Sequence, residues 1–356
     1  MTKKRIKTGV VLGKFMPFHQ GHELLIRFAM HYVDRLFVVV DRVPEKNYKE
    51  DYISGLVRIN WLKQTFPGVE VLYISKIMPQ EPSEHPQFWD IWRKTLADIL
   101  PVKPDYLFAS EQYGFRLAEV LGAKFIPVDV NREMLGVSGT AIRNNLGKYW
   151  DYLTSAAKKD FTLKVCIFGP ESTGKSTLAK SLADRFKTVW VPEHARFHLE
   201  EYMEAARRKG KAHDIQFEDM LEIATGQLAL EESQVGKANR LLVCDTDALI
   251  TVVWSKWFFG RADRRLLQLA KNQNYDLYLV TKPDIAWKKD SIRYFPKQKE
   301  REIFFKDCIK ILKDNRRGYV IINGSGKRRI GNAVKAVQKL MKEKFNYRYF
   351  ARKLPK

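Results

Sequence analysis

Two short segments of this 356-residue chain combine the residue types that bind nucleotide phosphates. One runs from Gly13 to His22 and the other from Gly169 to Thr177, and an apolar run of strand length precedes each. Glycines let the backbone approach a phosphate closely, and the free amides of a helix start attract anions. The sequence therefore predicts two nucleotide sites, which would serve two consecutive steps of one pathway.

The first segment places two histidines three residues apart, around Gly21, where a helix should begin. Gly13 permits close approach of the backbone, and Pro17 fixes a turn. His19 and His22 could then donate hydrogen bonds to a phosphate that is attacked at its α-phosphorus. The pair is equally compatible with a helix cap or a polar core position, whereas a zinc site would lack a third ligand.

A second group of phosphate-binding residue types lies far downstream, in Val137–Arg143. Ser138 and Thr140 stand where the last helix of the first half should open, and Arg143 follows them. Hydroxyls, exposed backbone amides and a guanidinium together predict a socket for the β- and γ-phosphates of a nucleotide.

The segment at Gly169 satisfies the pattern GxxxxGK[ST] between an apolar strand and a helix. In that context it predicts a P-loop, in which backbone amides cradle phosphates, Lys175 reaches the β- and γ-phosphates and the Ser176 hydroxyl binds Mg²⁺. ATP is thus a predicted co-substrate. The residues of this loop predicted to bind it are Gly169, Glu171, Ser172, Thr173, Gly174, Ser176 and Thr177.

Acidic side chains follow two further strands of the second half. Asp245 ends the run Leu241–Asp245 and is predicted to hold the Mg²⁺ shell, directly or through water, with Asp247 as a nearby second acid. Either aspartate could instead cap the following helix. A carboxylate is also expected near the acceptor hydroxyl, and Glu193 follows its strand with Arg196 three residues later.

Short apolar strands alternate with longer amphipathic stretches in both halves, which predicts an α/β fold with two doubly wound parallel sheets. The polar stretch Thr154–Asp160 separates them, so the predicted domains are residues 1–157 and 158–356. The charged and aromatic segment Lys282–Glu302 lacks periodicity and is predicted to be a mobile covering loop. The predicted strands are Gly9–Gly13, Leu36–Val40, Val69–Ser75, Tyr106–Ser110, Lys124–Val128, Leu163–Phe168, Thr188–Val191, Leu241–Asp245, Leu277–Thr281 and Tyr319–Ile322.

The composition indicates a soluble cytosolic protein. No apolar run approaches the roughly 20 residues that span a bilayer, and Gly13-Lys14 interrupts the stretch that a signal peptide would need. Cys166, Cys244 and Cys308 have no CxxC spacing, so the sequence suggests neither a disulfide framework nor a zinc site. The net charge of +22 is spread along the whole length and is interpreted as a solvated surface that also attracts anionic substrates.

The pattern GxFxPxHxGH followed by SxTxxR resembles the HxGH superfamily of nucleotidyltransferases, and Arg58–Trp61, Ser110–Gly114 and Asp129–Arg132 support the match. Over residues 8 to 340 the chain is similar to the NadR type, a Rossmann-like nicotinamide-mononucleotide adenylyltransferase fused to a P-loop ribosylnicotinamide kinase. The resemblance implies that nicotinamide riboside is phosphorylated with ATP and Mg²⁺. It further implies that the product, nicotinamide mononucleotide, reacts with a second ATP to give NAD and pyrophosphate.

For the first half, the resemblance implies that His19 and His22 stabilise the reacting phosphorus while Lys14 and Arg143 hold the leaving pyrophosphate. The nicotinamide ring needs an aromatic face; Trp92 is assigned to it, with Trp89 as the alternative and at least one of the two expected in the core. The residues assigned to nucleotide binding are Gly13, Lys14, Phe15, Ser138, Thr140 and Arg132.

For the second half, the similarity to nucleoside kinases implies that Glu193 accepts the hydroxyl proton or grips the ribose, while Arg196 fixes the substrate. Asp247 is the rival for the base. The stretch Lys282–Arg293 resembles the lid of this kinase family, so Arg293, with Arg301 behind it, is predicted to close over the γ-phosphate.

Two other readings stay open. A coenzyme A synthase pairing would join a related adenylyltransferase to a P-loop kinase, but its kinase is expected to lack Pro192–Arg196 and the tryptophan-bearing lid. A nucleotide sensor or nucleic-acid binder is suggested only by the charge. Larger NadR relatives carry an N-terminal helix-turn-helix segment, and because this chain reaches its first strand almost at once, no DNA-binding domain is expected. A homo-oligomer is compatible with the sequence.

Overall fold

The computed structural model describes residues 5–208, 215–288 and 294–355. The chain divides into two compact units, of which unit 1 comprises Met1–Phe161 and Asn346–Lys356 and unit 2 comprises Thr162–Phe345. The predicted boundary at 157/158 lies just before the observed one. The predicted second domain also included residues 346–356, which belong to unit 1.

Unit 1 is built on one parallel sheet. Its strands are β1 (Thr8–Gly13), β2 (Arg35–Arg42), β3 (Glu70–Ile77), β4 (Tyr106–Ala109) and β5 (Lys124–Pro127). Their order is β3-β2-β1-β4-β5, and Val38, Val39 and Val40 of β2 are wholly buried, as expected of a sheet covered on both faces. The order changes direction between β1 and β4, where such sheets bind ligands beyond the carboxyl ends of their strands.

Helices accompany these strands. They are α1 (Gln20–Tyr32), α2 (Glu45–Tyr48), α3 (Gly55–Thr65), α4 (Phe88–Ile99), α5 (Tyr113–Leu121), α6 (Gly139–Asn144) and α7 (Ser155–Asp160). Helices α1, α6 and α7 begin at side-chain caps. The Ser138 hydroxyl accepts a hydrogen bond from the Ala141 amide at 3.1 Å and opens α6. Gly122 ends α5 with a φ of 61°, the left-handed conformation that glycine adopts without strain.

Unit 2 is a second parallel sheet with helices around it. Its strands are β6 (Leu163–Phe168), β7 (Trp190–Val191), β8 (Leu241–Asp245), β9 (Leu277–Thr281) and β10 (Tyr319–Ile322), in the order β10-β9-β6-β8-β7. The helices are α8 (Lys175–Phe186), α9 (His194–Arg208), α10 (Asp219–Val235), α11 (Ala248–Phe259), α12 (Arg264–Asn272), α13 (Gln298–Asp314) and α14 (Gly326–Lys344). The predicted fold class and all ten predicted strands are confirmed. Cys166 on β6 and Cys244 on β8 lie opposite each other in the register of the two strands. Both are buried free thiols, as is Cys308.

Two predicted irregular segments contain helix. Residues 155–160 of the expected linker form α7, because the Thr154 hydroxyl caps the helix and Ala156 and Ala157 are buried. The predicted covering loop ends at Lys297 instead of Glu302, because α13 begins at Gln298. Its buried Arg301 donates a 3.1 Å hydrogen bond to the Ile285 carbonyl, which holds the first turn in place.

The last helix, α15 (Tyr347–Lys353), completes unit 1. The rings of Tyr347 and Phe350 are buried and lie 5.2 and 5.6 Å from the ring of Phe161. Arg348 pairs with Asp51 at 3.1 Å, and the helix packs against residues 49–51 and against α6. The end of the chain therefore supports elements that carry the first predicted site. Among the helices that the structure describes, none is both long and apolar enough to cross a bilayer.

Candidate active sites

A cavity of about 490 Å³ opens at the carboxyl ends of the strands of unit 1. The loops after β1, β2, β3, β4 and β5 and the start of α6 line it, as the topology requires. It brings together every site residue predicted for the first half. These are Gly13, Lys14, Phe15, His19, His22, Trp92, Arg132, Ser138, Thr140 and Arg143.

His19 and His22 form a reciprocal cap at the start of α1. The Gly21 amide donates to His19 Nδ1 at 3.1 Å, and the His19 amide donates to His22 Nδ1 at 3.4 Å. The two rings are stacked with their centroids 3.8 Å apart. Since both Nδ1 atoms accept hydrogen bonds, the neutral rings must carry their protons on Nε2. The two sequence interpretations are therefore compatible, because the capping atoms and the donor atoms lie on opposite sides of each ring.

Both imidazoles are held neutral. Burial lowers the pKa of His19 to about 3, with help from the charges of Arg132 and Arg143. Burial also lowers the pKa of His22 well below its ordinary value, and the neighbouring His19 and Arg132 add to the effect. Neutral Nε2–H groups can donate to a phosphate near pH 7 without exchanging a proton with it.

The cationic side of the cavity is set by Arg143. Its guanidinium donates to the Met16 carbonyl at 2.6 Å and to the Thr140 hydroxyl at 2.8 Å, so it is oriented before any ligand arrives. Tyr48 lies beneath it, with the guanidinium 5.4 Å and the Lys14 ammonium 5.9 Å from the ring centroid. A Cβ at Gly139 would lie 2.8 Å from the Met16 carbonyl, so this tight approach requires glycine. The two cations thus share one aromatic support.

The two candidate tryptophans have different environments. Trp92 is buried in the core of the unit, and its indole N–H donates to the Pro79 carbonyl at 3.0 Å, although an edge of the ring reaches the cavity. Trp89 is only partly buried and also lines the cavity. The expectation that at least one of them is a core residue is met by Trp92, and Trp89 offers the more accessible ring.

The nucleotide-binding loop of unit 2 has the backbone of a P-loop. Gly169 has a φ of 128° and Gly174 has a φ of 78°. Residues with a side chain adopt these conformations only with strain. Lys175 is buried, and its ammonium donates to the Pro170 carbonyl at 3.0 Å. Ser176 and Thr177 are exposed at the start of α8. These residues border a cavity of about 560 Å³, with the exception of Gly169 and the buried Thr173, which support the loop from behind.

Glu171 and Ser172 of this loop hold the covering segment. The Glu171 carboxylate accepts hydrogen bonds from the amides of Tyr294 and Phe295 at 2.9 and 2.7 Å and from the Trp287 indole at 3.2 Å. Ser172 accepts one from the amide of Lys288. Both residues were predicted to bind ATP, but in this structure their side chains fasten the segment beside the site.

Asp245 is suited to a metal ion. It is wholly buried, lines the cavity near the exposed Ser176, and neither carboxylate oxygen has a hydrogen-bond partner among the described residues. Burial and the neighbouring charge of Glu193 raise its pKa to about 7, while Lys175 opposes the shift. A buried carboxylate without partners is costly unless a cation compensates it. The donor set of a carboxylate and a hydroxyl fits Mg²⁺.

The two rival candidates for the base, Asp247 and Glu193, differ in their contacts within the fold. Asp247 caps α11, with one oxygen accepting from the Ile250 amide at 3.2 Å and the other from the Tyr278 hydroxyl at 2.7 Å. Burial raises its pKa to about 6. Glu193 lines the cavity, and Arg196 lies beside it at the start of α9. Both oxygens of Asp247 thus accept hydrogen bonds within the fold, although Asp247 lines the same cavity as Glu193.

The predicted lid arginine, Arg293, lies outside the described residues. Arg301, expected behind it, is buried beneath the segment instead of facing the cavity. A cation that the sequence did not single out is Arg329 of α14, which is buried and donates to the carbonyls of Gly324, Lys282 and Thr173. It ties the P-loop to the loops after β9 and β10.

Two family descriptions match the chain, one on each unit. Residues 10–145 match a family described as cytidylyltransferase-like, and residues 164–329 match one described as an AAA domain. The trifunctional NAD biosynthesis/regulator protein NadR of Salmonella typhimurium is 28% identical over 324 residues, which cover 88% of this chain and 78% of that protein. Over most of its length the chain is similar to NadR.

Solved structures of NadR share the fold. One, of NadR in complex with NR, has a TM-score of 0.70 at 22% identity and covers 95% of this chain and 96% of its own. Another, of NadR in complex with NAD and AMP-PNP, has a TM-score of 0.69 at 20% identity and covers 94% and 96%. These structures confirm the predicted fold across both units, and the NadR relative described above agrees with the resemblance inferred from the two phosphate-binding patterns.

Sequence reasoning gave no role to two polar residues near the first cavity. Arg58 of α3 is wholly buried and donates to the carbonyls of Lys14 at 2.6 Å and Asp41 at 3.0 Å, so it joins the loops after β1 and β2. Asp41 itself is buried and lines the cavity. The available signals were an arginine inside an apolar helix and an acid that ends an apolar strand.

Proposed function

We propose that the chain makes NAD in two ATP-dependent steps. Unit 2 phosphorylates nicotinamide riboside, and unit 1 joins the resulting nicotinamide mononucleotide to the adenylyl group of a second ATP. One observation carries the proposal: two neutral imidazoles with free Nε2–H groups lie beside the cationic pair Lys14 and Arg143 in a chain that is similar to NadR. The P-loop of unit 2 would bind the ATP for the other step, the phosphorylation of nicotinamide riboside.

In unit 1 the acceptor's phosphate oxygen attacks the α-phosphorus of ATP. A new P–O bond forms, the bond to the β-phosphate breaks, and pyrophosphate leaves with the bonding electrons. The Nε2–H groups of His19 and His22 stabilise the charge on the α-phosphoryl oxygens, and Lys14 and Arg143 hold the leaving group. No base is needed, because the attacking phosphate is already an anion. Removing one donor of this kind costs about 10²- to 10³-fold in rate.

In unit 2 the riboside's 5′-hydroxyl attacks the γ-phosphorus of ATP, and ADP leaves. Glu193 accepts the hydroxyl proton, Arg196 orients the riboside, and Lys175 with the P-loop amides holds the phosphates. Ser176 and Asp245 would hold Mg²⁺, which, when bound, neutralises charge on the phosphates. The aromatic side chains Trp254, Phe258 and Tyr294 line the same cavity and suit a pyridine ring.

The partners in this proposal are small molecules: nicotinamide riboside, nicotinamide mononucleotide and ATP. We place both steps in the cytoplasm, which the three free cysteines fit because thiols stay reduced there.

The test is to incubate the full chain with ATP and Mg²⁺ plus nicotinamide riboside, nicotinamide mononucleotide or phosphopantetheine, and to identify the products by mass. We expect NAD from either pyridine substrate and nothing from phosphopantetheine. Lys175→Ala should block only the first step and His22→Ala only the second. Loss of both activities in either well-folded variant would contradict two independent sites, and adenylylation of phosphopantetheine would favour a coenzyme A pathway enzyme.

A further inference from the structure

Asp41 is a buried carboxylate that the fold leaves incompletely satisfied. It lies near the end of β2, is 3% exposed, and lines the cavity of unit 1. Its Oδ1 has no hydrogen-bond partner among the residues that the structure describes. The charges of Arg58 and Lys14 act on this carboxylate, although the Arg58 guanidinium donates its hydrogen bonds to backbone carbonyls. A buried carboxylate oxygen without a hydrogen-bond partner is costly, and a ligand group that donates to it would offset that cost.

The walls of this cavity differ in chemistry. Helix α4 contributes the aromatic rings of Phe88, Trp89 and Trp92. Acids come from several sides, with Asp41 and Glu81 from β2 and the loop after β3, and Glu111 and Asp129 from the loops after β4 and β5. The loop after β5 and the last turn of α6 contribute the cations Arg132 and Arg143. The three rings of α4 and the cations of residues 132–143 therefore belong to different elements of the cavity wall.

The proposed acceptor matches this asymmetry. Its phosphate is anionic, whereas its N-ribosylated pyridine ring is cationic and bears a carboxamide with two N–H donors. A cationic ring is favoured by aromatic faces and nearby carboxylates. The acid analogue would instead bring a ring carboxylate towards the buried carboxylate of Asp41, and two like charges in a poorly solvated site repel strongly.

We infer that Asp41 is the residue of unit 1 that selects the amide over the acid, accepting a hydrogen bond from the carboxamide N–H of the pyridine nucleotide. This inference rests on the adenylyl transfer proposed above. A site built to accept a hydrogen bond from a substrate N–H rejects an analogue without it, because a buried polar group is then left unpaired.

A rival role for Asp41 is to position Lys14, whose charge acts on it. That role would affect the phosphate end of the site, and both pyridine nucleotides share the same phosphate. The ratio of activities on the two substrates therefore separates the roles. A change in this ratio requires contact with the ring substituent, whereas a positioning effect lowers both activities together.

The experiment measures kcat/KM of the full chain for nicotinamide mononucleotide and for nicotinic acid mononucleotide, in the natural sequence and in Asp41→Asn. Asparagine is nearly isosteric and removes the charge. We expect the amide-to-acid ratio to fall by about 10- to 100-fold, chiefly in KM, with the KM for ATP unchanged. Glu70→Gln is the matched control. It removes a carboxylate from the first residue of β3, at the end of the strand away from the cavity, and should leave the amide-to-acid ratio unchanged.

Each outcome has a separate meaning. If neither pyridine nucleotide yields a dinucleotide with the natural sequence, the proposed function fails. If both do and Asp41→Asn changes the ratio less than about threefold, or lowers both activities equally, Asp41 is not the selector. Calorimetric titration of nicotinic acid mononucleotide without ATP provides a readout independent of turnover; its affinity should rise in Asp41→Asn, and unchanged affinity would also overturn the inference.

Discussion

The neutral state of His19 predicts how unit 1 responds to acid. In the unfolded chain the imidazole has a pKa of 6.5, and in the folded chain burial lowers it to about 3. Between these values the folded state binds fewer protons than the unfolded state, so the free energy of unfolding decreases as the pH falls below about 6.5. At pH 5 the contribution of this one group is about 2 kcal/mol, and it grows further as the pH approaches 3.

The perturbation is His19→Asn compared with the natural sequence. Asparagine is a good N-cap residue, so the variant keeps an acceptor at the start of α1 while it loses the titrating group. The natural protein should lose about 2 kcal/mol more stability than the variant when the pH is lowered from 8 to 5. Urea unfolding of unit 1, followed by hydrogen exchange of its central strands, measures that difference.

The direct assay is an NMR pH titration of protein labelled at the histidine rings, with the His19 signal assigned from the variant. The ring should show an unprotonated Nδ1 and no titration between pH 8 and pH 5. Correspondingly, kcat for adenylyl transfer should show no inflection near 6.5 that arises from this pair. A His19 signal that titrates near 6.5, or equal acid sensitivity of both proteins, would refute the reasoning.

Three further predictions concern the metal site, the covering segment and the C-terminal helix. Asp245→Asn should abolish Mg²⁺-dependent phosphorylation. It should also raise the free energy of unfolding of unit 2 at pH 8 by roughly 1–4 kcal/mol, because a buried charge without a hydrogen-bond partner is removed. Urea unfolding without Mg²⁺ measures this change, and a destabilised variant would contradict the prediction. Glu171→Gln should speed amide exchange of Tyr294 and Phe295 by about 10- to 100-fold, since charge-assisted hydrogen bonds are worth about 1.5–3 kcal/mol, and unchanged exchange would exclude the fastening role. A chain that ends at Phe345 should lose adenylyl transfer but keep phosphorylation of the riboside, as separate assays of the two steps would show; full activity in both would mean that α15 is dispensable.

Much of the fold was predictable because its signals are local. Each strand corresponds to a short apolar run in the sequence. The P-loop pattern predicts the backbone conformation of its loop, because glycines such as Gly174 stand where a positive φ is required. The pairing of an HxGH motif with a distant SxTxxR motif was equally readable. Parallel strands end at one edge of a sheet, so loops far apart in sequence must meet there.

Other assignments depend on contacts that no local pattern contains. Nothing near Asp247 indicates that the Tyr278 hydroxyl will occupy one of its oxygens, and nothing near Glu171 reveals the amides of Tyr294 and Phe295. The return of α15 to unit 1 is similarly invisible, because its partner ring, Phe161, lies about half of the chain away in sequence. Burial and partner choice are properties of the packed molecule.

The sequence by itself determined that this chain carries two phosphate-binding sites on two parallel sheets, since glycine, lysine, hydroxyl and histidine spacings encode backbone approach and charge directly. Only the tertiary structure decided the protonation state of the two histidines and the hydrogen-bond partners of the acidic side chains. Those depend on desolvation and on which groups from other elements reach each oxygen or nitrogen. His19 shows both levels: its spacing marks a phosphate site, and its burial and cap leave Nε2–H as the atom that can donate.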